Sequence, residues 1–261
     1  MPAFYAHRQF GEDVLATLPA PLQQRIRPFI EAFVLGTQGP DILFNHKPLS
    51  KNDVKQKGTD MHCSSAKPFF TRCHQLIQER QGAIDAYVAG FICHFALDNA
   101  CHPHIYQLED TGIAHGRIES EFDKFVKAKY GKKIFQNATR DLTAKRGVAP
   151  AAAAVLEVDE RSIKRAIKTM RQVNWCFSVK NNAFKRFAHF VLKKAKAEKF
   201  WHMFLHRDTL AETDELNPVL FAQYETAIVP TAKLIEQFFE TTVSEQLFDA
   251  FDKDYKGVPL V

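Results

Sequence analysis

The chain of 261 residues is 46% hydrophobic, which supports a sizeable core and allows either one large domain or two smaller ones. Its formal net charge is +5, it contains no run of 18 apolar residues, and its first residues lack the apolar segment of a secretory signal. The composition therefore argues against a membrane-spanning protein, and we expect a cytoplasmic one. Five cysteines without regular spacing agree with free thiols in a reducing compartment.

Hydrophobic spacing near the amino terminus predicts two short helices, over residues 10–18 and 22–35. His7 is expected just before the first of them. Residues 36–60 combine glycines, prolines and isolated polar residues, so we predict a loop of the length at which loops often carry function. Asp41 lies in this loop, where its carboxylate is free to point into a site.

The middle of the chain predicts a buried helix. A shorter helix starts at residue 64, directly after His62, and the central helix starts at Gly82 with apolar residues around most of its circumference. Pro103 is predicted to end it. A charged Asp98 inside such a helix is unfavourable without a partner, and a cation is the partner that best explains it.

Histidine and carboxylate residues recur at helical spacing. Residues four apart share a helix face, so His94, Asp98 and His102 form one column, and His115 and Glu119 form a second. Imidazole nitrogen and carboxylate oxygen are ligands of catalytic zinc, and an aspartate between two histidines can bridge two ions. A lone histidine is more often a packed or surface residue, but two such columns within 26 residues predict a metal site.

The net charge hides three unequal blocks. Residues 1–130 have 14 basic and 14 acidic side chains, residues 131–200 have 17 and 5, and residues 201–261 have 4 and 11. Two interpretations of the basic block remain open. It packs beside the acidic C-terminal helices, which we favour, or it presents residues 161–196 to an anionic partner.

No segment shows the alternation of a strand, so we predict an all-α multi-helix bundle. No repeat, low-complexity stretch or flexible linker divides the chain. We therefore expect a single domain over residues 1–261. In it, residues 1–130 form the metal-binding core and residues 131–261 are additional packed helices.

Two groups of side chains outside the columns receive a predicted environment. Phe184, Phe187, Phe190 and Val191 form an amphipathic stripe on a basic helix, and we expect these aromatics in the core, which is more common for such a stripe than a role as membrane anchors. Glu121 and Asp123, on the helix that begins at His115, are expected to be solvated.

Five short stretches in the first 125 residues form an ordered set that is specific as a whole. They are Ala6-His7-Arg8-Gln9-Phe10-Gly11, Gln38-Gly39-Pro40-Asp41-Ile42, Met61-His62-Cys63, the segment from Gly90-Phe91-Ile92-Cys93-His94 to His102-Pro103, and the segment from His115 to Glu119. With this set the chain resembles the zinc-dependent phospholipase C family. More distantly, it is similar to the secreted three-zinc phospholipases and the single-strand-specific zinc nucleases.

The resemblance implies zinc and a ligand order of His, Asp, His, His-x-x-x-Asp, His and His-x-x-x-Glu. Carried over to this chain, the ligands are His7, Asp41, His62, His94, Asp98, His102, His115 and Glu119. One position stays open. The closer family pattern selects His102, whereas the most distant relatives place the histidine two residues later, at His104.

Ligand counting predicts two well-held ions, because a stable zinc takes three or four protein ligands. We expect one ion on His62, His94 and Asp98 and the other on His102, His115 and Glu119. His7 and Asp41 then complete a weaker third position or bind water. In the secreted relatives the processed amino terminus completes the third zinc site, and a chain that starts at Met1 or Pro2 is expected to lack that ligand.

Two functions from different classes follow. The first is a zinc hydrolase of phosphate esters, in which Asp41 orients or deprotonates the attacking water. The resemblance implies a phospholipid or another phosphodiester as the substrate. The second is a metal-binding structural or ligand-binding protein of the same fold with little turnover. Specific nucleic-acid binding is not expected, because the basic block contains no recognised motif.

Overall fold

The computed structural model describes residues 4–255, apart from the side chain of residue 199. Over this range the chain forms twelve α-helices, three 3₁₀ helices and no β-strand, which confirms the all-α prediction. The α-helices are α1 Phe4–Thr17, α2 Ala20–Ile26, α3 Ile30–Gly36, α4 Asp53–His62, α5 Lys67–Glu79, α6 Ala83–Glu109, α7 His115–Lys129, α8 Val148–Leu156, α9 Glu160–Phe177, α10 Asn182–Lys194, α11 Thr213–Phe238 and α12 Glu245–Asp249. The 3₁₀ helices are Arg27–Phe29, Gly39–Asn45 and Glu198–Met203.

The amino-terminal part is more helical than predicted. Helix α1 begins at Phe4, so His7 lies within it and not before it. The predicted helix over residues 22–35 is interrupted by a 3₁₀ turn at Pro28, because proline has no N–H to continue the helical ladder. The predicted loop over residues 36–60 holds a 3₁₀ helix and most of α4, whose start is capped by the Asn52 side chain.

Helix α6 is buried along most of its length and contacts α1, α2, α3, α5, α7, α8 and α11. It continues six residues beyond Pro103, so the predicted end of this helix is wrong. Proline removes the hydrogen bond to the carbonyl of Asn99, but Pro103 lies on an exposed side of the helix, where water can reach that region. The extra turns add Tyr106 and Glu109 to the central helix.

Helices α3 and α6 approach each other at backbone distance. A Cβ atom added to Gly36 would lie 2.1 Å from the carbonyl oxygen of Tyr87, and one added to Gly90 would lie 2.2 Å from that of Phe33. Both glycines are therefore required by the contact itself and not by a special backbone conformation. The contact fixes the end of α3 against the middle of α6, close to His94.

The second half of the chain covers the first. Helices α8 and α11 pack on α6, α9 packs on the 3₁₀ helix Gly39–Asn45, and α10 packs on Glu198–Met203. The buried apolar side chains of both halves belong to one cluster. All five cysteines are free, as expected. Within residues 4–255, no helix is both long and apolar enough to cross a membrane.

Two predictions about individual side chains are wrong. Glu121 and Asp123 are buried, because α1 and Glu198–Met203 both pack on α7. Glu121 forms ion pairs with Arg117 and Lys124, each at 2.7 Å, and Asp123 accepts hydrogen bonds from the first-turn N–H groups of α1. Asp123 therefore joins α7 to α1, whereas the ion pairs of Glu121 lie within α7.

The aromatic stripe on α10 is not in the core. Phe184 is half-buried, whereas Phe187 and Phe190 are exposed to solvent.

The interpretation that the basic block pairs internally with the acidic C-terminal helices gains no support. Among the described residues, no ion pair joins residues 161–196 to the acidic side chains of α11 and α12, and the ion pair of Lys164 is with Glu160 of its own helix.

The contact between α3 and α6 makes a testable prediction. Gly90→Ala should gain about 1 kcal/mol of helix propensity, but its methyl group would press on the backbone of α3. Overpacking of this kind typically costs about 1–3 kcal/mol, and a backbone obstacle places this site at the upper end. We expect a net loss of about 2 kcal/mol in the free energy of unfolding, measured by urea denaturation. Unchanged stability would show that the two helices can separate without loss.

Candidate metal centre

The eight predicted ligands come together in space although they span more than 100 residues of sequence. His7 comes from α1, Asp41 from the 3₁₀ helix Gly39–Asn45 and His62 from the last turn of α4, while α6 and α7 supply the rest. Six of them are buried, and His62 and His115 are partly exposed. Their nitrogen and oxygen atoms form three groups of three, and within each group the atoms lie within 4.8 Å of one another.

Asp98 lies between three histidines. Its Oδ2 is 3.0 Å from Nε2 of His94, and its Oδ1 is 3.2 Å from Nε2 of His7 and 3.5 Å from Nε2 of His102. Burial alone would raise the pKa of Asp98, but the imidazoles around it hold that pKa well below its usual value. The carboxylate is thus ionised, with its two oxygens directed toward different histidines, as a bridging ligand requires.

Glu119 is the carboxylate of the second column. Its Oε1 lies 3.3 Å from Nε2 of His115 and 3.6 Å from Nε2 of His102. Burial would raise the pKa of Glu119, yet His115 and His102 keep it well below its usual value. For His102, burial alone would lower the pKa, but Asp98 and Glu119 raise it to about 9. The two columns therefore meet at His102.

Asp41 groups differently from the expectation. Its Oδ1 lies 3.1 Å from Nε2 of His62, and these two side chains form one group with His94, not a position with His7. His94 also belongs to the group with His7 and Asp98. Because His94 offers one free nitrogen, it can complete only one of the two groups. Two ions with three protein ligands each remain the arrangement that ligand counting favours.

The orientation of the histidines fits metal ligation. Four of them direct Nδ1 at an acceptor and leave Nε2 facing the site, which is how a ligating imidazole is oriented in metal centres. The acceptors are the carbonyl oxygen of Gly58 for His62 (2.7 Å), that of Thr37 for His94 (3.2 Å), that of Tyr255 for His102 (2.7 Å) and the Glu109 carboxylate for His115 (2.9 Å). The Nε2 of His94 is buried and lies 3.0 Å from Oδ2 of Asp98, so a nitrogen and a carboxylate oxygen face each other as two ligands of one cation would.

The structure separates His102 from His104. His102 is buried and belongs to the group with His115 and Glu119, whereas His104 is only partly buried and joins none of the three groups. The four-residue spacing of the closer family pattern therefore describes the geometry. The two-residue shift of the distant pattern would rotate the histidine about 200° around the helix, away from Asp98.

Gly39 makes room for His94. Its φ is +50°, in the left-handed region, and an added Cβ would lie 2.2 Å from Cδ2 of the His94 imidazole. A side chain at this position would both strain the backbone and displace a predicted ligand. The glycine in the Gln38 to Ile42 stretch is thus needed for the site itself.

Tyr106 and Glu109 are site residues that the sequence analysis missed. Tyr106 lies four residues after His102, so it extends the column of His94, Asp98 and His102 by one turn, and its ring centroid is 5.4 Å from that of His115. The spacing alone could have revealed it. It was overlooked because the helix was expected to end at Pro103.

Six of the eight predicted ligands line a cavity of about 730 Å³, whereas His7 and His94 do not. We call these six side chains the floor of the cavity and the rest of its lining the walls. The walls are mainly apolar and come from both halves of the chain, with a few polar side chains such as Thr169 and Gln172 of α9. The apolar residues are Phe4, Phe44, Pro48 and Leu49 from the first half, and Val173 and Phe177 of α9, Phe184, Phe187, Ala188, Val191 and Leu192 of α10, and Phe200, Met203 and Phe204 from the second. Residues 131–261 therefore contribute most of the apolar walls.

One family matches the chain. The zinc dependent phospholipase C family aligns with residues 6–202, about three quarters of the sequence. The matched region contains every predicted ligand and extends through the helices that build the cavity walls. Searches of curated proteins and of solved structures found no protein that matches this chain.

Zinc analysis can test the choice between the two histidines. The protein purified without chelator should hold about two equivalents of zinc, and His102→Ala should lose about one of them. His104→Ala is the matched control and should retain both. Loss of zinc in His104→Ala alone would overturn the grouping of His102 with His115 and Glu119.

The close approach of Gly39 to His94 gives a second test. Gly39→Ala should weaken zinc binding about tenfold or more, because a displaced imidazole loses its orientation. Gly131→Ala is the control, since its φ of +65° imposes similar backbone strain with no heavy atom within 4 Å of the added methyl group. Competition with a zinc-binding dye measures both affinities. Equal affinities of the two variants would show that contact with the imidazole does not matter.

Proposed function

This chain belongs to the zinc-dependent phospholipase C family, and on that basis we propose that it hydrolyses a phosphodiester bond of a phospholipid. One observation carries the proposal: six of the predicted zinc ligands line a cavity whose walls are mainly apolar. A phosphate group suits the floor and a hydrocarbon chain suits the walls. A small, fully polar phosphate ester would leave most of those walls in contact with water.

The proposed ligands form two zinc-binding positions. His102, His115 and Glu119 hold one position, Asp41, His62 and His94 hold the other, and Asp98 lies between them. Zinc bound there supplies Lewis acidity toward the phosphoryl oxygens and lowers the pKa of a water molecule toward neutrality. The carbonyl oxygens behind the imidazoles and the Glu109 carboxylate keep the rings oriented.

Asp41 is the proposed acceptor of the water proton. Burial would raise its pKa, but neighbouring positive charges, with the hydrogen bond from His62 among them, keep that pKa below its usual value, so the carboxylate is ionised at neutral pH. It lines the cavity beside His62, within reach of a water molecule at the floor. From there it orients the nucleophile and takes up its proton as the bond to phosphorus forms.

Tyr106 is a proposed hydrogen-bond donor to the substrate. Burial raises its pKa, and the nearby charges of Glu119 and Asp98 raise it further, so the phenol stays protonated. The ring lines the cavity next to His102 and His115. A neutral hydroxyl in that position can donate to a phosphoryl oxygen as negative charge develops on it.

The test compares zinc content with turnover. The zinc-loaded protein should release a phosphorylated head group from phosphatidylcholine or phosphatidylglycerol and should also cleave a water-soluble phosphodiester. Asp98→Asn should lose zinc and activity together. Asp41→Asn should slow hydrolysis of both substrates roughly 100-fold or more, as loss of a general base does.

Asn99→Ala is the control, because Asn99 is the neighbour of Asp98 on α6 and belongs to none of the ligand groups. It should keep both zinc and activity. If the wild-type protein binds zinc tightly but turns over none of these esters, the alternative holds, and the chain is a metal-dependent binding protein of this fold.

A further inference from the structure

Large apolar side chains are exposed together on one side of the protein. Leu49, Trp175, Phe187 and Phe190 are 75%, 57%, 65% and 60% exposed, and Val191 is 44% exposed. These five make up more than half of the large hydrophobic residues that are exposed between residues 4 and 255. Scattered exposed apolar residues are ordinary, but a group of them next to one another marks an interaction surface.

This group surrounds the mouth of the cavity. Leu49, Phe187 and Val191 are exposed and also line the cavity, so each has one side toward the interior and one toward solvent. Phe190 and Trp175 extend the apolar surface outward from there without lining the cavity. We call the five side chains the apolar rim. The apolar rim and the cavity therefore share three side chains.

The surroundings of the apolar rim are strongly basic. Residues 161–197 contain eleven Lys or Arg residues and no Asp or Glu. On α9, Lys168 and Arg171 are exposed on the same face as Trp175, at helical spacings of seven and four residues. On α10, the Nζ of Lys194 lies 5.7 Å from the ring centroid of Phe190. Lys185 does not contribute, because it is buried and donates to the carbonyl oxygen of Leu205.

We propose that the apolar rim and the basic residues around it dock the protein on an anionic lipid surface. Aromatic and aliphatic side chains enter the boundary between head groups and acyl chains, while long basic side chains reach lipid phosphates at the level of the head groups. Helix α10 is 13 residues long, which suits a helix lying in the plane of the surface and not across it. The inference rests on the proposed function, because docking there places the cavity mouth against the lipids.

Charge and side-chain type favour lipid over the other possible occupants. A second copy of this face would bring two strongly basic surfaces together, which is unfavourable. A single-stranded nucleic acid could pair its phosphates with the lysines and stack its bases on the aromatic rings, but the aliphatic side chains of Leu49 and Val191 would make no favourable contact with it. Exposed aliphatic side chains beside an apolar cavity make favourable contacts only with a partner that is itself apolar.

Vesicle sedimentation tests the docking surface. The wild-type protein should bind phosphatidylglycerol vesicles at least tenfold more tightly than phosphatidylcholine vesicles, and binding should weaken with salt as screening increases. Trp175→Ser combined with Phe190→Ser should reduce binding to phosphatidylglycerol about tenfold or more, because both side chains lose their apolar contact with the lipid. The matched control is Val219→Ser with Val229→Ser, two exposed valines on α11, and it should bind like the wild type.

The basic residues have their own matched pair. Lys193→Gln with Lys194→Gln should weaken binding to phosphatidylglycerol. Lys132→Gln with Lys133→Gln changes two exposed lysines outside residues 161–197 and should not weaken it. Equal binding of the Trp175 and Phe190 variant and the wild type would overturn the proposal. Two other outcomes would assign the surface to a different partner. If the wild type sediments without vesicles and the Trp175 and Phe190 variant does not, the surface binds a second copy of the chain. If the wild type binds oligothymidylate but not vesicles, the surface binds nucleic acid.

Failure of docking and failure of catalysis can be told apart. The Trp175 and Phe190 variant should cleave a water-soluble phosphodiester at the wild-type rate, since neither side chain lines the cavity. Asp41→Asn should bind phosphatidylglycerol vesicles as tightly as the wild type. If no ester is hydrolysed but vesicles are bound and the apolar rim is required, docking stands without the proposed function. If soluble esters are cleaved and vesicles are not bound, only the docking proposal falls.

Discussion

The structure depends on keeping one carboxylate buried. Asp98 lies in the long, largely buried helix α6, and its ion-pair partners among residues 4–255 are three histidines from two helices. A buried charge of this kind is unfavourable unless its partners are held in place. Helix α1 must therefore bring His7 to α6, and α6 must be regular enough to place His94 and His102 one turn on either side. Much of the packing around α6 serves these two requirements.

The glycines near α3 connect that packing to the chemistry. Gly36 and Gly90 let the two backbones touch, which places the carbonyl oxygen of Thr37 where Nδ1 of His94 can donate to it. Gly39 then turns the chain at positive φ directly over the imidazole and leads into Asp41. A short stretch of backbone thus orients one histidine and delivers a carboxylate to the same group. The cost of a methyl group in this stretch would fall on the site as well as on stability.

The sequence predicts what is local and misses what depends on distant partners. The columns on α6 and α7 follow from four-residue spacing, and the buried helix follows from its composition, so both were predicted correctly. Helix propensity opposes proline, so the sequence predicts a helix end at Pro103, whereas the exposed position of Pro103 lets the helix continue. The local pattern predicts Glu121 and Asp123 in solvent, because only tertiary packing buries them. The carbonyl oxygen of Tyr255 behind His102 lies 153 residues away, and no local pattern reveals it.

Helices α9 and α10 show why the second half of the chain matters. Each presents apolar residues to the cavity and basic residues to solvent, and their aromatic side chains lie at the boundary between the two. A helix with this pattern can cover a metal centre and contact a lipid surface with the same few turns. The cavity walls and the apolar rim are therefore coupled by geometry: a change in the tilt of α10 would alter the width of the cavity and the depth of the exposed rings together. A lipid substrate of the kind proposed would use both surfaces together, because its hydrocarbon chain would contact the cavity walls while the basic segment would contact the head groups of neighbouring lipids.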